Sequence, residues 1–325
     1  MRFPREPIEW PHHAVLAVMP TVVLETWPEA ELGKPGSAQA SFRQDVPSGS
    51  LFDTDIALIT DRLYGERCGA YRVLDIFDEF EVKTTWFLNG AGVQAYPGLA
   101  KEIAEAGHEL ASENWQHEYV WRQSDDAQRS DLEVTIRSFI DHVNKPPVGY
   151  ISSGERPNDY TLPLLAEKGY RYYMGTLNED LPYTIRTTHG DLVAFSYGIW
   201  MTDHQMASPT RKSPRDVLQW WKDQFDQLYE EGIGGRPGMM TMGIHPFISG
   251  RPFRARVLRE FLAYARSKPG VWFPRCVEAA DHYLANYRDA YVEHWPFYGT
   301  AIPRPNGHAR SGMWAQPGAL VGAGS

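Results

Sequence analysis

The fold is decided by the stretch VKTTWFLNGAGVQAYPGLAKEIAEAGHELASE, residues 82–113. It begins with an apolar run that ends at Asn89 and is typical of a strand. YPGLAKEIAEAG then has the spacing of a helix, which Gly107 closes just beyond its end. HELASE returns to the pattern of a strand. Because parallel strands need a long crossover between them, most often a helix, this stretch predicts one strand–helix–strand unit of a parallel sheet.

The same alternation continues on both sides of this unit, about seven times in all. It predicts an α/β fold whose parallel sheet is covered by helices, and both a closed barrel and an open doubly wound sheet fit it. The other strands are predicted at 14–27, 148–153, 170–176, 192–198, 238–246 and 270–275. The later helices are predicted at 130–143, 159–169, 213–232, 254–267 and 276–287, the first of them capped by Ser130 and the third by Ser213.

In this interpretation residues 1–287 form a single catalytic domain with a long loop at 28–56, which is rich in Gly, Pro, Ser and Asp. Residues 288–325 lose the alternation and predict an irregular C-terminal tail. Such a tail packs on its own domain or reaches a neighbouring subunit, so we expect a homo-oligomer. No Gly-rich loop of the dinucleotide or Walker type follows a strand, and no nucleotide cofactor is expected.

The composition narrows the class of partner and the compartment. The 325 residues carry a formal net charge of −9, which gives no electrostatic reason to bind nucleic acid or an anionic membrane. Only two cysteines are present, so a disulfide framework is excluded. The first residues, MRFPREPIEW, contain no apolar signal region, and no run of 18 apolar residues occurs. We expect a cytoplasmic protein that acts on a small-molecule substrate.

Reactive groups of parallel α/β folds collect where the strands end. In this sequence carboxylates and histidines stand at those positions, which is the composition of a hydrolytic site rather than of a binding groove. The strand-end groups are Glu25, Asn89, Glu113, His117, Ser152, Ser153, Asp203, His204 and His245.

Five motifs occur in a fixed order: YGERCGAYRVLDIFDEF, TTWFLNG, YPGLAKEIAEAGHELAS, NEDLPY and GIHPFISGRPFRARVLREFL. Together they resemble the polysaccharide deacetylase family, the NodB homology domain, over roughly residues 12–285. The resemblance is closest to the cytosolic branch with PuuE-type allantoinases, peptidoglycan-deacetylase-like proteins and cyclic imide hydrolases. It implies a distorted (β/α) barrel of about seven strands, fewer than the usual eight.

The resemblance also implies roles for four residues. The family holds a metal with an Asp after the first strand and with two histidines of a His-x-x-x-His stretch after the third. Here Glu25 takes the first position, and Glu113 replaces the first histidine of the stretch that ends at His117. The family's catalytic acid, a late histidine, matches His245. The implied catalytic residues are therefore Glu25, Glu113 and His245.

Three interpretations of Glu113 stay open. Glu25, Glu113 and His117 form a metal site that suits Zn²⁺, Mn²⁺ or Co²⁺, in which the metal activates a water and polarises a carbonyl. Alternatively the enzyme is metal-independent, a glutamate is the general base and His117 positions the substrate. In the third interpretation Glu113 is structural and accepts backbone N–H groups of the following turn.

Five further residues are predicted to contact the substrate, and each has a structural alternative. An arginine near strand ends clamps a carbonyl or carboxylate, but more often forms ion pairs beneath a site. A tryptophan there walls a flat pocket or simply packs. The five predicted substrate-binding residues are Asn89, Trp115, Arg156, Trp200 and Arg251.

The sequence thus favours a hydrolase of a non-peptide C–N bond, with a small cyclic amide or imide as substrate. His245 protonates the leaving nitrogen, which is otherwise a poor leaving group. One alternative is a deacetylase of N-acetyl sugars, with the same chemistry in an open groove. The other is a binding protein without turnover on a deacetylase-like barrel.

Overall fold

The computed structural model describes residues 5–28, 56–207 and 212–296. Most of the predicted loop at 28–56 and residues 297–325 of the predicted tail lie outside these ranges. Within them ten strands form one sheet. The strands are β1 (Leu16–Leu24), β2 (Thr85–Leu88), β3 (Glu109–Ser112), β4 (Gly149–Tyr150), β5 (Tyr172–Thr176), β6 (Tyr183–Thr187), β7 (Gly190–Ser196), β8 (Gly238–Ile244), β9 (Val271–Trp272) and β10 (Val292–His294).

The centre of the sheet is a run of seven parallel strands in the order β8-β1-β2-β3-β4-β5-β7. It curls into a half-barrel and confirms the distorted (β/α) barrel of about seven strands. β9 adds a short parallel partner to the start of β1. Beyond β7 the sheet continues through antiparallel β6 to β10.

Eleven α-helices in the described part of the chain connect and cover the strands. Their bounds are α1 (Ile56–Arg62), α2 (Ala70–Glu79), α3 (Gly90–Ala95), α4 (Pro97–Glu105), α5 (Asp125–Val143), α6 (Thr161–Glu167), α7 (Asp203–Ala207), α8 (Pro214–Ile233), α9 (Pro246–Ser249), α10 (Pro252–Arg266) and α11 (Cys276–Asn286). None of these helices combines the length and the apolarity that crossing a bilayer requires.

The helix starts show which cap signals count. Ser213 caps α8 as predicted, in a capping box with Asp216 and with Pro214 in the first turn. Ser130 is not the cap of α5. That helix begins earlier, where the side chain of Ser124 accepts a hydrogen bond from the backbone N–H of Ala127, and two aspartates follow in its first turn.

All nine residues of β1 are buried. Leu16, Val18, Val22 and Leu24 pack against the covering helices. The residues between them, Ala17, Met19 and Val23, pack inside the barrel. A strand that is covered on both faces has no solvent side, so its sequence is a continuous apolar run.

Two elements correct the sequence interpretation. β6 was not predicted, although Tyr183–Thr187 forms a hairpin with β7 that shields the edge of the parallel run. β10 lies in the segment predicted to be an irregular tail, and pairs with β6. Both strands are short, and only Tyr183, Thr184 and Ile185 of these eight residues are buried, so neither carries an apolar run.

In the described part of the chain no strand ladder joins β7 to β8, and residues of the N-terminal segment lie in this seam. Trp10 is buried there and donates its indole N–H to the carbonyl of Gly238 at 2.8 Å. Arg5 donates to the carbonyl of Pro182 at 2.7 Å. At the other end of the seam the hydroxyl of Thr241 donates to the carbonyl of Ser196 at 2.7 Å.

A pair of glycine substitutions tests how closely α8 packs against the chain at the start of β1. A Cβ at Gly232 in α8 would lie 2.0 Å from the backbone oxygen of Val15, whereas a Cβ at Gly98 in α4 meets nothing within 4 Å. We expect Gly232→Ala to lower the free energy of unfolding by about 1–3 kcal/mol. Gly98→Ala should leave it unchanged or raise it by about 0.4–1 kcal/mol. Urea unfolding of both variants measures this, and equal effects would contradict the tight helix–strand contact.

Candidate active site

The two-residue repeat of the strands places three predicted catalytic residues inside the barrel mouth. Val23 faces the barrel interior, so Glu25 continues that inward series. The same repeat carries the inward series of β3 to Glu113 and that of β8 to His245. All three residues follow the carboxyl ends of parallel strands, where the loops open the barrel to substrate.

Glu25, Glu113 and His117 meet at the centre of this mouth. The Nδ1 atom of His117 lies 2.9 Å from Oε1 of Glu113 and 3.3 Å from Oε1 of Glu25. The backbone N–H of His117 donates to the carbonyl of Thr26 at 2.8 Å, which ties the loop after β3 to the loop after β1. Ser153 donates its hydroxyl to Oε1 of Glu113 at 2.6 Å.

The donor atoms of this cluster fit a divalent metal ion. One ligand atom from each of Glu25, Glu113 and His117 lies within 4.8 Å of the others. The second carboxylate oxygen of Glu113, Oε2, is buried, and none of the described residues forms a hydrogen bond with it. Two carboxylates and one imidazole are a ligand set that Zn²⁺, Mn²⁺ and Co²⁺ accept. The third interpretation of Glu113, a carboxylate bound to the backbone of the following turn, is wrong, because its partners are side chains.

His245 is held by Asp203. Its Nδ1 atom lies 2.6 Å from Oδ1 of Asp203, and its backbone N–H donates to Oδ2 at 2.9 Å. The hydroxyl of Ser249 donates to the same Oδ2 at 2.5 Å. With Nδ1 engaged, Nε2 turns toward the mouth and lies 3.6 Å from Oε1 of Glu25. The imidazole therefore presents one N–H to whatever binds beside Glu25.

The charges of the cluster stabilise one another. Burial opposes the ionisation of Glu25, but the imidazoles of His117 and His245 outweigh it and hold the pKa of Glu25 well below its ordinary value. Burial likewise opposes the charge on His245, and Asp203 and Glu25 raise its pKa to about 10. His245 is therefore an imidazolium at neutral pH. Its contribution to stability is complete below pH 6.5, the ordinary pKa, and is lost as the pH rises through about 10.

Aromatic side chains and one arginine wall the cluster. The ring of Trp27 lies 4.2 Å from that of His117, measured between ring centroids. The guanidinium of Arg62 stacks on both Trp27 and Phe247, at 4.3 and 4.0 Å. Arg62 is 5% exposed and is one of the charges that lower the pKa of Glu25. The wall thus consists of two aromatic rings and one buried positive charge beside Glu25.

Two of the predicted substrate-binding residues are structural. Asn89 is fully buried, and its amide accepts from the backbone N–H of Thr26 and donates to the carbonyl of Asn114. It joins the loops after β1, β2 and β3 from a fully buried position. Trp115 packs over Gly90, where its ring occupies the space that a Cβ would need. It faces the helices α3 and α5 rather than the mouth.

The other three lie at or outside the rim. Arg251 is held by Asp61 at 2.8 Å and stacks on the ring of Tyr64, so it forms the structural ion pair named as its alternative. Arg156 is exposed and stacks on Trp121 at 4.9 Å. Trp200 is 77% exposed in a 3₁₀ turn at the surface, and its role as a wall of the substrate pocket stays a prediction.

Several site residues were missed as such in the sequence. Asp203 and Ser153 were noted only as polar strand-end groups, and Arg62, Trp27 and Phe247 received no role. Arg62 ends a short helix and Trp27 follows an apolar strand, where neither periodicity nor composition marks a functional side chain. The one usable signal was for Asp203. It is a carboxylate shortly after β7, and the next strand, β8, leads to His245.

The contribution of Asp203 can be measured through the pH profile. Its charge raises the pKa of His245, so Asp203→Asn removes that effect and lowers it. We expect the alkaline limb of the kcat–pH profile to move to lower pH by about 1–3 units. Ser249→Ala, which removes a donor to Asp203 but leaves its charge, should move the limb less. If the alkaline limb does not move in Asp203→Asn, Asp203 does not set the pKa of His245.

Comparison with known proteins shows which sequences and folds the chain is similar to. A family model described as polysaccharide deacetylase matches residues 52–173. A peptidoglycan deacetylase of Helicobacter pylori is 24% identical over 258 residues, which cover 70% of this chain and 87% of that protein. The peptidoglycan deacetylase-like protein FGM2 of Gibberella zeae is 24% identical over 68% of this chain and 77% of its own. The solved structure of PuuE allantoinase superposes with a TM-score of 0.77 at 25% identity, covering 88% of this chain and 99% of that one.

Proposed function

We propose that this chain, which matches the polysaccharide deacetylase family model over residues 52–173, is a hydrolase of carbon–nitrogen bonds other than peptide bonds and opens a small cyclic amide or imide. The observation that carries this proposal is the opposition of two carboxylates, Glu25 and Glu113, to an imidazolium fixed by Asp203. Hydrolysis of an amide needs a proton acceptor for water and a proton donor for nitrogen, and the mouth holds both.

The chemistry follows from the positions of the side chains. In this proposal Glu113 accepts a proton from water, with its Oε2 atom, to which no described residue donates, as the acceptor. The water oxygen attacks the carbonyl carbon and forms a tetrahedral intermediate. His245 then gives its Nε2 proton to the ring nitrogen as the C–N bond breaks. The proton that Glu113 took from water passes to His245 and restores the imidazolium. Glu25 stays ionised between the two histidines and holds His245 in the charged state before each turnover.

A metal is compatible with the same residues. Glu25, Glu113 and His117 would hold it, and a divalent ion there supplies water of lowered pKa and polarisation of the carbonyl. In either case His245 remains the donor to nitrogen, since it is bound by Asp203 and belongs to no ligand set.

Two observations support a cyclic substrate: the residues that wall the cluster lie close to it, and one structural neighbour is an allantoinase. Trp27, Arg62 and Phe247 enclose the cluster on one side with flat surfaces, which suit a small planar ring. One structural neighbour is PuuE allantoinase, an enzyme named for allantoin, and its superposition covers 88% of this chain. Deacetylation of an N-acetyl sugar is the second candidate. It is favoured by Trp121, a 54% exposed ring at the rim that contacts Tyr119, and by the named peptidoglycan deacetylases.

Proton release over a panel of substrates tests the proposal. Opening an imide at neutral pH yields a carboxylic acid and an uncharged amide, so acid appears in solution. We expect a signal with at least one of succinimide, hydantoin, dihydrouracil and allantoin, and none with the His245→Gln variant. Acetate released from N-acetylglucosamine oligomers, without any ring opening, would establish the sugar deacetylase instead. No turnover on either class would favour the binding protein.

We further propose that the enzyme works in the cytoplasm as a homo-oligomer. Both cysteines are free, Cys68 exposed and Cys276 buried, which suits a reducing compartment. Light scattering coupled to size exclusion measures the assembly, and a monomer at micromolar concentration would refute the second part.

A further inference from the structure

A second imidazole, that of His204, lies beside His245 and has no role in the chemistry described so far. His204 is the second residue of α7 and is half-buried. The centroid of its ring lies 5.6 Å from that of His245, and the two ring planes are inclined by 51°. The residue before it, Asp203, is the carboxylate that holds His245. His204 is therefore a direct neighbour of the proton donor in the proposed reaction.

The first turn of α7, which carries His204, is fixed to its surroundings. Asp203 accepts a hydrogen bond from the backbone N–H of His245 at 2.9 Å and another from the hydroxyl of Ser249 at 2.5 Å. In the turn before α7, the carbonyl of Met201 accepts from the indole N–H of Trp221 at 2.9 Å. The helix also packs against β8 and α9. A side chain on this turn is held in place, as a group that acts on a substrate must be.

The proposed reaction needs one further hydrogen-bond donor. When water attacks the carbonyl carbon, an electron pair of the C=O bond moves to the oxygen, and donors aimed at that oxygen lower the barrier. Glu25 and Glu113 are acceptors, and the Nε2 proton of His245 goes to the leaving nitrogen. The nitrogen and the charged oxygen are bonded to the same carbon. A donor to the oxygen must therefore lie beside the donor to the nitrogen, which is where His204 lies.

We propose that His204 is the oxyanion donor: an N–H of its imidazole donates a hydrogen bond to the substrate oxygen as that oxygen becomes negative. No proton is transferred in this contact. The oxygen returns its electron pair to carbon when the C–N bond breaks, and the N–H bond of His204 stays intact. A neutral and a charged imidazole each have at least one ring N–H, so the contact does not depend on titration. This inference rests on the proposed function and adds a catalytic residue to the same site.

The protonation states of the two histidines agree with a division of roles. Burial and the positive charge of His245 lower the pKa of His204 to about 4. At neutral pH a neutral imidazole thus lies beside an imidazolium. A neutral imidazole is a far weaker acid than an imidazolium. His245 is therefore the group that transfers a proton, and His204 donates a hydrogen bond only.

Three substitutions of His204 separate hydrogen-bond donation from packing. His204→Phe keeps a flat ring beside His245 but has no ring N–H, and it should lower kcat about 10²- to 10³-fold with KM changed less than about threefold. His204→Asn and His204→Gln lose the ring but place an amide N–H near the positions of Nδ1 and Nε2. The faster of these two should stay within about tenfold of the wild type. Steady-state proton release on the ring that the wild type opens measures all three.

His282→Gln is the control at the opposite end of the barrel. His282 is also half-buried, but its Nε2 atom lies 2.7 Å from the carbonyl of Glu9 and its ring contacts Trp272 of β9. This variant should keep its kcat. A His204→Phe enzyme as fast as the wild type, or Asn and Gln variants that are both no faster than His204→Phe, would overturn this inference alone. A wild type that opens none of succinimide, hydantoin, dihydrouracil and allantoin would overturn the proposed function and the inference with it.

Discussion

The His245→Gln variant should turn over substrate about 10²- to 10⁴-fold more slowly than the wild type, with KM changed far less. The loss follows from the state of the imidazole. Asp203 and Glu25 keep it protonated at neutral pH and aim its Nε2–H at the mouth. Glutamine has a similar size but no acidic proton to give, so the nitrogen would have to leave as an anion. Steady-state kinetics on the ring that the wild type opens measures the effect.

His108→Gln is the matched control, because His108 is also a buried histidine but lies at the opposite end of the barrel. Its Nδ1 atom accepts from the backbone N–H of Thr84, and its ring packs on Phe77 and Trp86. This variant should lose stability and keep its kcat. If His245→Gln retains more than a tenth of the wild-type kcat, His245 does not donate the proton.

The Glu113→Gln variant should also lose activity by about 10²- to 10⁴-fold, since it removes the acceptor for the proton of water. Its buried Oε2 atom receives no hydrogen bond from the described residues, and Glu113→Gln puts in its place an amide group that accepts no proton. Glu109→Gln is the control at the other end of β3. Glu109 accepts from Thr85, Tyr172 and the backbone of Val277, so its loss should reduce stability and leave kcat intact.

Metal content of the same samples separates the two roles of Glu113. Wild-type protein dialysed against a chelator and still active would assign Glu113 to proton transfer alone. Metal present in the wild type and absent from Glu113→Gln, with activity lost in parallel, would assign it to the ligand set with Glu25 and His117. Equal kcat in Glu113→Gln and Glu109→Gln would contradict both roles.

The fold and the centre of the site could be predicted from the sequence for one physical reason. Strands of a parallel sheet are buried on both faces, so each is an apolar run, and the first polar residue after it stands at the mouth. Glu25, Glu113 and His245 all follow such runs. The inward direction of each is set by the two-residue repeat of its strand.

The rest of the site was harder to predict from the sequence, because the segments that carry it have no regular repeat of apolar residues. Arg62 reaches Glu25 from a helix end, and its position depends on stacking between Trp27 and Phe247. Arg156 stacks on Trp121, and nothing in the letters SSGERPN states that residues 154 and 155 adopt a left-handed backbone.

The central place of β1 has a consequence for synthesis of the chain on the ribosome. β1 emerges first, yet one of its two long edges remains open until β8 has been made, since Leu16 pairs with Gly238 and Val22 with Ile244. At about 5–20 residues per second the delay is about 10–45 s. During this time an apolar strand edge is exposed to other nascent chains. Chains arrested with β8 still in the exit tunnel should be digested by protease, and those extended well past residue 275 should resist it. Slower elongation would lengthen this vulnerable interval, so the yield of native enzyme depends on how quickly the second half of the message is translated.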